Sequence, residues 1–495
     1  MTTALLVHRF LSDYVRNRAN LLFLALVPIV FVMVAAGTLA DASRLLGGAG
    51  NGSSIETVTA GWTAGFLTAI AMYFQVSAAR NTDRRLVLSG LPGIRLVTAR
   101  MAAGALLAAV ASTAALVALA ARTGIDDPLR VTAGTLMFAV IYLAFGAIVG
   151  ATVPDAVNGT VVIMFVWIID VFFGPTLSSS ESVLTRLLPT HFVSLWTVNL
   201  PSGHGGLSEL AWSLLWTTTA LVVAFLVVVR TSSVSRRRGA QKSASSALVQ
   251  LRAGLKMGWH DWRRTPVLWL LLAVVPAVFI LLADAVTPHG TTPITLRENG
   301  VRFTDMVDPA HIHAGTMAPV SVASLPALAG VFIVLDARSA DQRLALAGQR
   351  LWVLLATRLG MVLAAAGLAT TVSLGVTATV FDAHQWGLYI TANAFIAATY
   401  ALIGVLLGPV FGRVSGVFMA FLIPFLDLGI GQSPMLQGEP APWARYLPGY
   451  GSTRMLIDGA LTEGFDELGS LLIASGWLAG LVLMAVVLFR RTASR

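Results

Sequence analysis

Cysteine is absent from all 495 residues, which excludes disulfides and thiolate metal sites. Charge is scarce as well. Asp, Glu, Lys and Arg make up 12% of the chain, against about 25% in a soluble domain. No G-x-x-x-x-G-K-[ST] phosphate cradle occurs, so the sequence supplies no ATP-hydrolysing site of its own. What fills the space is apolar: 56% of residues are hydrophobic, many in runs near the ~20 residues that a helix needs to cross a bilayer. The fold class that follows is an all-α polytopic membrane protein.

The net charge of +9 comes from 33 Lys and Arg against 24 Asp and Glu. The placement of these charges argues for topology rather than for nucleic acid. Basic residues cluster at 9–18, 80–100, 230–264, 338–358 and 490–495. Short basic loops stay cytoplasmic, so both termini and the central linker are expected in the cytosol, with the chain multi-pass in the cell membrane. The first apolar run follows an amphipathic stretch and lacks a small-residue cleavage site, and is read as retained.

Hydropathy predicts helices over about 20–40, 58–79, 97–121, 131–152, 156–174 and 208–230. A second set follows over about 266–286, 316–336, 351–380, 387–409, 413–430 and 467–489. Twelve transmembrane helices thus fall into halves, 1–230 and 248–495. Between them, 231–247 forms a Ser- and Arg-rich cytoplasmic linker.

The halves repeat. "DYVRNRANLLFLALVPIVF" from Asp13 matches "DWRRTPVLWLLLAVVPAVF" from Asp261, and Pro28 matches Pro276. Gly146 and Gly150 correspond to Gly404 and Gly408, Asp170 to Asp427, and Pro189 to Pro448. The offset stays between 248 and 259 residues and the order is kept. Six helices per half make the repeat parallel, with an expected axis along the membrane normal. Each half opens with an amphipathic helix suited to the interface, near Leu5–Arg16 and again over 248–264. The segments 175–207 and 431–466 hold apolar pieces too short to cross, as an outer re-entrant hairpin would.

One charged phrase is also written twice: "RNTDRRLVLSG" from Arg80 and "RSADQRLALAG" from Arg338. Arg80, Asp83, Arg85, Leu86, Leu88 and Gly90 recur as Arg338, Asp341, Arg343, Leu344, Leu346 and Gly348, with Arg84 beside the first set. Arg100 and Arg358 then open the next helix. Topology anchoring needs only positive charge. Retention of Asp, two Leu and Gly in register describes a short helix shaped for a partner, ended by its glycine.

Six helices per half, a leading amphipathic helix, a charged short helix between the second and third spans, and an outer hairpin before the sixth resemble the type-two ABC permease family. Its members are membrane subunits of ABC exporters for drugs, polyketides and polysaccharides, and the likeness is to the version with two halves fused in one chain. The family usually writes Gly-Thr-Leu-Glu-x-Leu after its acidic-basic cluster; here "DRRLVLSGLP" and "DQRLALAGQR" lack Gly-Thr and the second acid.

The resemblance implies the permease of an ATP-driven exporter, with antibiotic or multidrug efflux as its role. This chain would bind no cofactor. Two copies of a cytoplasmic ABC ATPase would hold ATP and Mg and dock on Arg80–Gly90 and Arg338–Gly348. No LSGGQ-like signature occurs in the chain itself. A pathway between the halves, lined by the first, second and fifth helices, would use Trp62, Phe66, Tyr73, Phe74, Phe165, Trp167 and Phe172 in the first half. Phe332, Phe418, Phe421 and Phe425 would serve in the second. These residues suit a hydrophobic or amphipathic small molecule, and each also suits ordinary helix packing. Asp170 and Asp427 close an outer gate or cap helix ends.

Two other classes compete. A twelve-helix secondary drug transporter of the major facilitator kind also has two parallel halves and an Asp-Arg motif, but both glycines of its Gly-x-x-x-Asp-Arg-x-Gly-Arg-Arg pattern are missing. A membrane enzyme would need a catalytic constellation. His311 and His313 with Asp305 and Asp308 lie in the long outer loop 287–315 without metal-motif spacing, so this loop is read as a plain solvated one with no metal.

Overall fold

The computed structural model describes residues 3–45, 52–177, 185–198, 205–231, 266–287, 289–298, 301–346, 349–434, 440 and 442–493. The linker over 232–247, the second amphipathic segment 248–264 and Gly348 lie outside the described residues. The chain divides into two compact units, Met1–Arg238 and Gly239–Arg495.

The first unit begins with helix α1 (Thr3–Val15), which buries Leu6 and Tyr14 and exposes Leu5. Helices α2 (Arg18–Leu45), α3 (Gly52–Leu88), α4 (Gly93–Arg122), α5 (Pro128–Thr152) and α6 (Ala156–Phe173) follow. The short α7 (His191–Val198) and the long α8 (Leu207–Thr231) complete it. Local chemistry explains the starts. Pro128 sits in the first turn of α5, where its missing N–H costs nothing, and the Asp127 side chain accepts from Arg130 N at 3.1 Å. Asp155 caps α6 in the same way, accepting from Asn158 N at 3.0 Å.

The second unit holds α9 (Pro266–Val286), a β-hairpin of β1 (Thr292–Glu298) and β2 (Val301–Val307), and α10 (Pro309–Leu346). Helices α11 (Leu351–Thr377), α12 (Trp386–Pro424), α13 (Tyr450–Leu461) and α14 (Leu468–Ala493) follow. Among the described residues, nine helices are long and apolar enough to cross a membrane. Helices α8 and α14 bury only 17% of their most apolar window, and the apolar surface left over suits acyl chains.

Three expectations are corrected. The charged phrase is no separate short helix: residues 80–88 continue α3 without a break, and 338–346 continue α10, because nothing in either stretch breaks a helix before its terminal glycine. At 37 residues α3 is about 55 Å long, well beyond the ~30 Å hydrocarbon core. The helices expected at 387–409 and 413–430 join with no intervening loop. Only Gly412 interrupts them, with φ 76° and ψ −169°, a backbone that needs glycine; residues Phe425–Gly431 then form a π-helix. The loop 287–315 is not plain, since β1 and β2 pair antiparallel from Thr292↔Val307 to Glu298↔Val301. Asn299-Gly300 between the two runs was the sequence signal for that hairpin.

Each unit is organised by one helix pair in unusually close approach. In the first, α3 and α5 meet along residues spaced four apart. Phe138 and Tyr142 of α5 lie over Gly61 and Gly65 of α3, while Gly146 and Gly150 lie on the backbone carbonyls of Ala69 and Tyr73. In the second, Gly404 and Gly408 of α12 lie on the carbonyls of Ala327 and Val331 of α10. Small residues let these backbones touch, which is how helices gain packing energy in lipid.

A methyl group at Gly146 or Gly404 would strike backbone, whereas one at Gly367 meets open space. Gly146→Ala and Gly404→Ala are therefore each expected to cost about 1–3 kcal/mol by overpacking, and Gly367→Ala to be neutral or stabilising by up to ~1 kcal/mol. Thermal unfolding of the purified variants in detergent measures the difference.

Candidate functional site

The two charged phrases project as helix ends, and the fold holds both in the same way. Asp83 is 6% exposed and Asp341 7% exposed. In the first unit Arg100, from α4, donates to Asp83 Oδ1 at 2.7 Å and to the Gln75 carbonyl at 2.8 Å. In the second, Arg358 from α11 grips Asp341 with two bonds, Nη2 to Oδ1 at 2.7 Å and Nε to Oδ2 at 3.1 Å. The acid of each phrase thus faces inward and clamps the extended second helix to the start of the third. Asp83 and Asp341, expected among the docking residues, are buried and paired within their own unit.

The outward side is basic and apolar. Arg85 is exposed, Leu88 is 85% exposed, Arg84 and Leu86 are half-buried, and Gly90 is exposed with φ 95°. The Gly90 and Leu91 amides donate to Val87 O and Leu86 O, which ends the helix sharply. In the second unit Arg343 and Leu344 are exposed, and Gln349 N donates to Leu344 O just as Leu91 does to Leu86. Arg80 and Arg338 differ. Arg80 turns back and donates to the Gly150 carbonyl at 2.5 and 2.9 Å and to Val153 O at 2.8 Å, closing the C-terminus of α5, while Arg338 is exposed. The Arg100 guanidinium also lies 4.2 Å from the Phe10 ring, which ties α1 to the first clamp.

At the other end of each bundle sits a second matched pair. Asp170, 1% exposed at the end of α6, accepts from Tyr142 OH at 2.7 Å and from Thr190 Oγ1 at 2.6 Å through Oδ2, and from Thr190 N at 3.3 Å through Oδ1. Asp427 accepts from Tyr400 OH at 2.5 Å and Gly449 N at 2.8 Å through Oδ2, with Gln432 Nε2 at 3.3 Å from Oδ1. Thr190 and Gly449 immediately precede α7 and α13. Each acid holds the start of a short helix, braced by a tyrosine from α5 or α12. The tyrosines escaped the sequence reading, although Tyr142 and Tyr400 stand four residues before the paired Gly146 and Gly404.

The aromatic residues expected along a pathway are mostly packed inside their own unit. Trp62, Tyr73, Trp167 and Phe332 are at most 2% exposed, and Phe66, Phe74, Phe418, Phe421 and Phe425 are buried. The Trp167 indole donates to the Trp62 carbonyl at 2.8 Å and lies 4.9 Å from the Phe66 ring. Phe421 stacks on Phe425 at 5.7 Å. Phe165 and Phe172 alone of the set are half-buried. The His311/His313 pair does not converge either, because His313 Nδ1 bonds Thr287 Oγ1 at 2.7 Å.

Residues 58–230 match the family model described as ABC-2 family transporter protein. The matched stretch covers α3 to α8 and contains the first clamp and the first capped acid. No curated protein matches the chain. Apolar helices and this likeness together make the chain a multi-pass, mostly helical membrane protein.

Arg100→Met leaves Asp83 buried without its cation and is expected to destabilise the protein by about 3–5 kcal/mol; Asp83→Leu with Arg100→Met recovers most of that. A double-mutant cycle on thermal unfolding reads the coupling. Tyr400→Phe keeps the ring and removes one bond to Asp427, for an expected loss of about 1–3 kcal/mol, with faster hydrogen exchange confined to 449–461 as the local signature.

Proposed function

We propose, from the ABC-2 likeness of residues 58–230, that this chain is the transmembrane subunit of an ATP-driven exporter and carries two permease halves in one polypeptide. The family likeness ends at 230. Support for a second half comes from its own residues: the Asp341–Arg358 clamp, the Tyr400–Asp427 cap and the Gly404/Gly408 approach each repeat a first-unit feature at an offset of 257 or 258 residues. Twelve spans result when α3 and α9 are counted and α12 is divided at Gly412.

The observation that carries the reading is the duplicated clamp. A helix end that only anchors topology needs no internal brace. One that must transmit force does, because a loose knob would bend instead of moving its span. With Asp83 and Asp341 locked to the third helix, the exposed Arg85 and Leu88, and Arg343 and Leu344, form the faces on which a separate ATPase dimer docks. ATP-driven closure of that dimer moves each knob, and the clamp passes the displacement to the second and third spans together, shifting the population of inward- and outward-accessible states.

The cargo class is apolar or amphipathic, with antibiotic or multidrug efflux as the role. Asp170 and Asp427, the acids expected at an outer gate or at helix ends, are engaged by hydrogen bonds from their own unit, which leaves them ill suited to proton relay or to binding a charged substrate.

The test is reconstitution with the co-purifying ATPase. Drug-stimulated hydrolysis and uphill transport are expected to require ATP. Arg85→Glu with Arg343→Glu should lower transport at least tenfold while membrane insertion and the thermal midpoint stay unchanged. Uphill transport driven by a pH gradient, with neither nucleotide nor ATPase present, would refute the reading.

A further inference from the structure

The second unit carries a cluster that the exporter reading does not use. His289, Asp308 and His311 place one nitrogen or oxygen each within 4.8 Å of one another. His289 Nδ1 lies 3.0 Å from Asp308 Oδ2, and the His289 and His311 rings are 5.8 Å apart, edge to face. The three come from two segments separated by the β-hairpin. Pairing of Thr292 with Val307 closes the hairpin's foot and so brings His289, three residues before β1, against Asp308, one residue after β2. His311 follows Asp308 by three residues in the first turn of α10, a spacing that puts both on one helix face.

We infer that these residues form a surface site for a borderline divalent cation such as zinc, bridging the foot of the hairpin to the start of α10. Two imidazoles and one carboxylate are a donor set that zinc accepts in three-ligand sites, with water in the fourth position. The two oxygens of Asp308 divide the work: Oδ1 accepts from Ala310 N at 2.9 Å and caps the helix, which leaves Oδ2 for the ion. The positive end of α10 opposes a cation here. Two acids counter it. Beside Asp308, the charge of Asp284 from α9 also acts on His289, and Asp284 Oδ1 is buried without a hydrogen-bond partner. Tetrahedral coordination at ~2.0–2.1 Å brings ligand atoms to about 3.4 Å apart. His289 and His311 are both exposed, so their rings can turn to close that gap without disturbing the fold.

Bound there, the ion would fasten the foot of the hairpin to the start of α10, adding to the strand ladder and the His289–Asp308 contact. The site needs nothing from the ATPase or the cargo, so its test stands apart from that of transport. The full chain is purified in detergent, stripped with a chelator and titrated with zinc against a chromogenic chelator. One zinc per chain is expected, bound at least tenfold more weakly by His289→Ala/His311→Ala and unchanged in His384→Ala, an exposed histidine between α11 and α12 that is outside the cluster. Zinc should also slow hydrogen exchange of strands 292–298 and 301–307 in the parent chain and in His384→Ala, but not in the double variant. His289→Gln, at a position whose side chain is 61% exposed, provides a second variant that keeps the fold. Equal zinc affinity in parent and double variant, or hairpin exchange indifferent to zinc, would overturn the site.

Discussion

A polar group inside a bundle surrounded by lipid has no water to turn to, so it is paired within the protein or it costs several kcal/mol. That constraint organises this chain more than any run of apolar residues does. Each unit places a buried carboxylate at either end of its bundle and gives it partners from neighbouring elements. Asp83 and Asp341 meet the arginine seventeen residues later. Asp170 and Asp427 meet a tyrosine from the preceding helix and the backbone N–H that opens the following short helix. Apolar packing alone would let neighbouring spans slide and rotate. These pairs set their register, because a shift of one residue would strand a charge.

The close glycine approach supplies the matching constraint on distance. Gly146 and Gly404 seat α5 and α12 against carbonyl oxygens of α3 and α10, and one turn away on the same helices Tyr142 and Tyr400 reach Asp170 on α6 and Asp427 in Phe425–Gly431. The same i+4 stripe thus serves packing and polar satisfaction together. It also explains why the sequence keeps a tyrosine and two glycines at spacings of four in both units, in helices that otherwise share little.

Much of this was legible in the sequence, and the parts that were not have physical reasons. Spans were readable because lipid demands length and hydrophobicity, and the repeat because charged phrases are rare in such a chain. The direction in which a charge points was not readable. Asp83 looked like surface because it stands among arginines, yet only three-dimensional proximity reveals that Arg100 lies across the turn from it. Trp62, Phe66 and Trp167 suited cavity lining and helix packing alike, because aromatic residues serve both; only the structure shows their contacts with one another. The hairpin had a sequence signal in Asn299-Gly300, but the His289 cluster did not, since its partners nineteen residues apart meet only once the strands pair.

What the two units do not share is as informative as what they repeat. Arg80 closes the end of α5, whereas Arg338 leaves its equivalent carbonyls alone and stands exposed. In the second unit the corresponding helix continues through Gly412, and Arg413 there pairs with Asp336 on α10. The first unit thus ends its fourth span with a side-chain cap, and the second with a glycine kink braced by an ion pair. The guanidinium of Arg80 satisfies orphan carbonyls at a helix end, whereas Arg413 ties the kinked helix to α10 through a carboxylate. The two devices also differ in stiffness. A guanidinium bonded to two carbonyls fixes the turn outright, while an exposed ion pair beside a glycine yields under load. The two helix ends are thus finished differently, although the clamps beside them match.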